Sequence, residues 1–306
     1  MTVTRRKFLA TSGAGLGLAL TPPRLWASTE LSVGQMRIQT LSDGHLTLPP
    51  DFIFGPMPKA ELAPILQSHD LTGAALTPEC NVTLLQDGTN TVLFDVGAGA
   101  GFQDSAGELV DALEALGLAP EDITHVVFTH CHPDHLWGVL DEFDDPTFYE
   151  AQHMMGQREW EYWFDPETTN TIQSERTTMA VGARRRMEVL EESIVLFDDG
   201  QEILPGVAAH MTPGHTPGHM SFELRSGSDS VLVLGDAIGN HHVAFERPDW
   251  QSGSDQDGPL AAQTRQSILD RAVAEKMQLI GYHLPGDGIG WAERAGSTYR
   301  FVPDDA

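Results

Sequence analysis

Positive charge is what the sequence has least of. Lysine and arginine together number 18 against 44 aspartates and glutamates, for a formal net charge of −26 over 306 residues. A surface of that sign repels phosphate backbones and anionic lipid, so neither nucleic-acid binding nor stable membrane insertion is expected. The plain reading of the excess acid is a solvated exterior that stays soluble in salty surroundings. Cysteine is nearly missing too. Cys80 and Cys131 are the only two, too few for a disulfide framework, and both are expected as buried thiols. No apolar run is long and unbroken enough to span a bilayer, which takes about 20 residues. The Gly-x-Ser-x-Gly elbow of serine hydrolases is also absent, so a hydrolase on this chain needs a different nucleophile. What is plentiful is apolar side chain: 41% of residues, enough for a sizeable core and too much for a disordered chain.

The first residues read as a targeting segment. Thr4-Arg5-Arg6-Lys7-Phe8-Leu9 resembles a twin-arginine export signal, and a Gly-rich, weakly apolar stretch follows from Ala10 to Leu20. Leu25-Trp26-Ala27 then offers a small residue for cleavage. The expected organisation is a signal peptide over residues 1–27 and one domain over residues 28–306. Passage through the twin-arginine machinery to the periplasm or the medium is expected with it.

Beyond the leader, strands alternate with helices. Met36 to Leu41, Asn81 to Leu85, Thr91 to Phe94, Thr124 to Phe128, Val207 to Met211 and Gln278 to Tyr282 carry strand patterns. Ser221 to Leu224 and Val231 to Leu234 suggest a hairpin around Gly227. Glu108 to Leu116, Ala151 to Phe164, Glu175 to Glu192 and Leu260 to Lys276 have helical spacing. Ser252 to Gly258, rich in Gly, Ser and Asp, reads as a mobile loop.

The chemistry falls just after apolar strands, where α/β sheets place their sites. In Thr129-His130-Cys131-His132-Pro133-Asp134-His135, two imidazoles one residue apart can face one metal. The Asp and His just beyond can turn toward a second. Nitrogen and carboxylate donors suit zinc, with manganese, iron or cobalt also accommodated. Three more positions extend the set. His215 sits in the Gly/Pro turn from Thr212 to His219. Asp236 ends an apolar strand with a carboxylate able to bridge two cations, and His283 ends the last strand with an imidazole.

In this order the motifs resemble the metallo-β-lactamase superfamily over nearly the whole of the chain beyond the leader. That resemblance implies an αββα sandwich of two mixed β-sheets flanked by helices, with the site at one edge. It implies that His130, His132 and His215 bind one metal, that Asp134, His135 and His283 bind the other, and that Asp236 bridges. Asp95, in Leu93-Phe94-Asp95-Val96-Gly97, matches a position that supports the ligands without binding metal itself, and His219 is expected beside the metals in the same way. Leu41-Ser42-Asp43-Gly44, Gly235-Asp236-Ala237-Ile238, and the run from His283-Leu284-Pro285 to Tyr299-Arg300-Phe301-Val302-Pro303 resemble the branch that contains methyl parathion hydrolase. Its substrate pockets are lined by aromatics, which makes Trp163, and more weakly Trp160, Phe245 and Trp250, candidates for the pocket wall. The lactonases of the best-known kind place a Tyr three residues after the bridging Asp. Here that residue is Gly239.

The expected function is hydrolysis of a small-molecule ester — lactone, aryl ester or phosphotriester — with two divalent ions, zinc foremost, and a hydroxide held between them. Asp134 would double as the group that accepts the nucleophile's proton. A mononuclear iron sulfur dioxygenase on the same scaffold and a non-catalytic exported metal-binding protein are the alternatives. The filling of all seven ligand positions favours the hydrolase.

Overall fold

The computed structural model describes residues 27–73 and 75–304, so the expected leader lies outside the described residues apart from Ala27. Two seven-stranded sheets pack face to face. The first holds β1 (Ala27–Val33), β2 (Met36–His45), β3 (Glu79–Gln86), β4 (Thr91–Phe94), β5 (His125–Phe128), β6 (Gln152–Gly156) and β7 (Val195–Phe197), in that spatial order. Its first three pairings are antiparallel and its last three parallel. The second holds β8 (Glu202–Leu204), β9 (Val207–Met211), β10 (Met220–Ser226), β11 (Asp229–Val233), β12 (Gln278–Ile280), β13 (Ile289–Ala295) and β14 (Thr298–Pro303). Only β11 and β12 pair parallel there, so both sheets are mixed. The helices are α1 (Pro50–Phe54), α2 (Lys59–Ser68), α3 (Leu109–Ala115), α4 (Pro133–Leu136), α5 (Gln157–Phe164), α6 (Thr168–Thr171), α7 (Thr177–Leu190), α8 (Val243–Glu246) and α9 (Gly258–Glu275). None among the described residues is long and apolar enough to cross a membrane.

Alternation along the strands builds the layers. In β5, Val127 points between the sheets, where it joins Phe94, Phe222 and Val233 in one core. Val126 and Phe128 point the other way, into a second core with Leu113 of α3, Trp160 of α5 and Met187 of α7. Leu232 of β11 and Leu279 of β12 meet Ile268 and Leu269 of α9 on the far side. Helices cover both outer faces, so the central strands are buried on two sides and read as unbroken apolar runs. This is the expected αββα sandwich.

Two readings of the chain change. Ala151 to Phe164 is not one helix: Gln152–Gly156 is strand β6, and α5 begins at Gln157. Its Met154 faces the inter-sheet core and Met155 the helix side, a period-two pattern imposed by parallel pairing with β5 and β7. Ser252 to Gly258 is pinned rather than loose. Arg176 Nη2 donates to Gly253 O at 2.9 Å and Ser254 O at 2.8 Å, and Arg265 Nη2 pairs with Asp255 at 2.9 Å. Both cysteines are buried free thiols, as expected.

Candidate metal centre

β5 ends at Phe128 and the chain turns through His130 and His132 into α4, which opens on Pro133. Proline suits this first helical position because its missing N–H would have no partner there anyway. The tight turn swings Asp134 and His135 back toward the two preceding imidazoles. His215 arrives from the β9–β10 turn, Asp236 from the end of β11 and His283 from beyond β12. Six of the seven residues are buried and His283 is partly buried, and their donor atoms converge.

Asp236 lies at the middle. Its Oδ2 is 3.3 Å from His215 Nε2, 3.3 Å from His283 Nε2 and 4.0 Å from His130 Nε2. Its Oδ1 is 3.4 Å from His135 Nε2. Asp134 Oδ2 is 3.2 Å from His283 Nε2 and 3.4 Å from His135 Nε2, and His132 Nδ1 is 2.9 Å from His215 Nε2. Two donor groups result, one of His130, His132, His215 and Asp236, the other of His135, Asp236 and His283. Asp134 and His283 also converge with the Cys80 thiol.

Four of the five imidazoles are oriented by a partner on the far side of the ring. His135 Nδ1 meets Asp95 Oδ2 at 2.8 Å, His215 Nδ1 meets Asp255 Oδ1 at 3.1 Å, and His283 Nδ1 donates to Glu79 O at 2.7 Å. Thr129 Oγ1 donates to Asp95 at 2.7 Å, so it accepts from His130 Nδ1 at 2.9 Å. Each of these four rings therefore keeps a proton on its outer nitrogen and turns the other nitrogen inward, where a cation could take the place of a second proton. Asp95 sits in the left-handed region at φ 68°, a conformation that costs roughly 1–2 kcal/mol for a residue with a side chain. The surrounding contacts hold it there, with its carboxylate across Thr129 and His135.

The inward atoms pass a test of fit for cations. His130 Nε2, His135 Nε2, Asp134 Oδ2 and Asp236 Oδ1 are buried without a hydrogen-bond partner, a situation that costs about 1–3 kcal/mol per group when nothing satisfies it. Nitrogen and carboxylate donors facing one another across 3–4 Å suit two divalent cations sharing Asp236. The electrostatics agree. Burial and the neighbouring imidazoles hold His130 well below the usual histidine range. Burial opposes protonation of His283, but Asp236 and Asp134 outweigh it and push the ring up to about 10. A positive charge is wanted between these carboxylates.

His219 makes hydrogen bonds through both ring nitrogens. Its Nε2 accepts from the Asp236 N–H at 2.9 Å. Ser221 donates to Leu234 O, so Thr212 Oγ1 donates to Ser221 and accepts from His219 Nδ1 at 2.8 Å. Both ring nitrogens are occupied, which leaves none for a metal.

Above the cluster lies a cavity of about 230 Å³. His132, Asp134, His215, Asp236 and His283 line it, and Leu46, Phe52, Ile53, Leu71, Phe102 and Met179 supply apolar wall. His241 and His242 also face it, with burial first and neighbouring imidazoles second lowering them to about 4 and about 3. The aromatic candidates fall elsewhere. Trp163 is buried edge-on against His132, ring centroids 5.7 Å apart, with its Nε1 on Glu159, so it backs that ring. Trp160 is in the core beneath α5. Phe245 packs on Phe301 beneath α9, and Trp250 packs with Phe54 and Val243. Neither lines the main cavity, although Trp250 borders a minor one beside Asp236. Gly239 leaves open space where a side chain would begin.

Several residues escaped the sequence reading. Glu159 accepts from Cys131 N, Trp163 Nε1, Thr216 Oγ1 and Gly218 N, so one buried carboxylate ties both histidine loops together. Burial pushes it up to about 7. A charged residue just before Trp160, one turn before Trp163, was its only signal. Asp255 had none beyond its place in a polar loop.

An αββα sandwich with convergent imidazoles and carboxylates at one edge defines a class of metal-site scaffold. The chain belongs to the metallo-beta-lactamase superfamily, whose profile matches residues 77–276. It is 29% identical to the N-acyl homoserine lactonase AttM of Agrobacterium fabrum over 128 residues, 41% of this chain and 44% of AttM. Among solved structures, AidC, a dizinc quorum-quenching lactonase in complex with a product, gives a TM-score of 0.84 at 21% identity, covering 92% of this chain and 99% of AidC. AbOPH, a hydrolase in the beta lactamase superfamily, gives 0.85 at 25% identity with the same coverage. The AidC likeness shows the fold. The first curated relatives are matched over 44% to 61% of their own length.

Proposed function

We propose that the chain is a metal-dependent hydrolase of ester-type bonds, with lactones and aryl esters ahead of phosphotriesters, and that two divalent ions serve it. The observation that carries this reading is the pair of donor groups sharing Asp236 at the floor of a mostly apolar cavity. His130, His132 and His215 would hold one ion, Asp134, His135 and His283 the other, and Asp236 both. When bound, such ions polarise a carbonyl or phosphoryl oxygen and bring the pKa of water toward neutrality.

The chain's own residues do the rest. The four oriented rings present their inner nitrogens without rearrangement, and Asp236 would offset the repulsion between two bound cations. Asp134, buried and facing the cavity, is placed to take the proton of the attacking water. The apolar wall suits the hydrocarbon part of an acyl chain and excludes bulk water, which strengthens the electrostatics inside. The lactonase AttM and the hydrolase AbOPH support the same reaction class. A screen of the purified protein against lactones, aryl esters, phosphotriesters and a cephalosporin, with metal analysis alongside, tests this. Ester or lactone turnover with about two zinc per chain is expected. One iron per chain and no hydrolysis would favour the dioxygenase.

We also propose export, supported by Thr4 to Leu9. Replacing Arg5 and Arg6 together by Lys should leave the precursor uncleaved in the cytoplasm. Arrival in the periplasm regardless would exclude the twin-arginine route.

A further inference from the structure

The cavity wall is mostly carbon, yet a guanidinium is built into it. Arg176, the residue before α7, lines the cavity together with Met179, Ser254 and His132. It is 5% exposed. One of its terminal nitrogens, Nη2, serves the carbonyls of Gly253 and Ser254 at 2.9 and 2.8 Å and reaches Asp255 O at 3.5 Å. The other, Nη1, is buried with no partner. No described carboxylate pairs with the guanidinium. Asp255, in the loop that Arg176 holds, has its two oxygens committed to His215 and Arg265.

Pinning a loop by its carbonyls needs donors but no permanent charge. A buried cation without a counter-ion is costly, and a missing hydrogen bond adds to the cost. A guanidinium N–H to a carboxylate makes a charge-assisted hydrogen bond, stronger than one between neutral groups. Long-range attraction cannot recruit an anion to a chain with a net charge of −26, so selection for one has to be local. Arg176 is the one arginine or lysine among the described residues lining this cavity.

We propose that Arg176 is a substrate-binding residue that pairs with a carboxylate carried by the substrate, so that the preferred esters bear a negative group away from the scissile bond. This rests on the hydrolase reading above and narrows its substrate class. The acyl chain then lies along the apolar wall while its far end meets the guanidinium of Arg176.

The test compares 4-nitrophenyl hemisuccinate, hemiglutarate and hemiadipate with the matched uncharged 4-nitrophenyl alkanoates, using the metal-loaded protein. At least one carboxylate-bearing ester should exceed its uncharged partner in kcat/KM by about 10- to 100-fold, the range of a charged hydrogen bond. In Arg176→Gln, which keeps an amide donor for the loop carbonyls, that ratio should fall toward 1, and Arg176→Lys should recover part of it. A ratio that is the same in wild type and Arg176→Gln overturns the proposal. Calorimetry of the free diacids against the corresponding monoacids reads the same preference without turnover. Should no ester be cleaved while wild type alone prefers diacids, the hydrolase reading fails and the Arg176 pairing stands. Ester cleavage with no diacid preference in either measurement fails the pairing and leaves the hydrolase reading intact.

Discussion

The floor of the cavity and its walls are built in different ways. The floor draws four of its seven donors from the residues between His130 and His135, and most of its rings are oriented by a second hydrogen bond to Thr129, Asp95, Asp255 or Glu79. The walls come from separate places: Leu46, Phe52 and Leu71 before β3, Phe102 after β4, Met179 on α7 and His241 beyond β11. These are held mainly by packing. A change in the floor should therefore alter metal affinity and chemistry, and a change in the wall should alter which substrate is preferred.

Asp255 offers the strongest way to break that contrast. It lies in a wall loop yet orients a floor ligand, sharing its carboxylate between His215 and Arg265. Asp255→Asn removes the charge and leaves Arg265 buried without its counter-ion. Metal affinity, read by competition with a chromogenic chelator, should weaken by about 10- to 100-fold, as is usual for residues behind a ligand. Unchanged affinity would mean that His215 is oriented by something else.

A smaller effect sharpens the contrast from the other side. Leu71→Ala enlarges the wall and should shift kcat/KM toward longer acyl chains by roughly tenfold, with metal content unchanged. Phe245→Leu lies outside the cavity, in the core against Phe301. It should lower the melting temperature, by about 1 kcal/mol of stability, without moving the chain-length ratio. A selectivity change in Phe245→Leu alone would return that ring to the pocket.

The same difference explains what the sequence makes legible. His130 to His135 is contiguous, and its spacing behind an apolar strand carries the geometry with it. Asp236 and His283 follow short buried strands whose pattern is plain. The β6 strand was hidden because Met154 and Met155 fit a helical pattern as well as an alternating one, and only the neighbours β5 and β7 decide between them. Trp163 was expected on the pocket wall, but its indole N–H is drawn to Glu159, one turn earlier on α5. No residue pattern marks Arg176 or Asp255, since both matter through a loop whose path depends on tertiary contacts.

The central claim, that Asp236 is shared by two cations, is tested most directly by counting metal. On this account Asp236→Asn would remove a negative charge from between two dications and leave a weak neutral ligand. His219→Ala alters a ring whose nitrogens are both already occupied. Metal content per chain is measured in wild type and both variants, with circular dichroism to confirm folding. About two ions in wild type and His219→Ala, and one or none in Asp236→Asn, is the expected result. Two ions retained by Asp236→Asn, with near-normal turnover, would contradict the account.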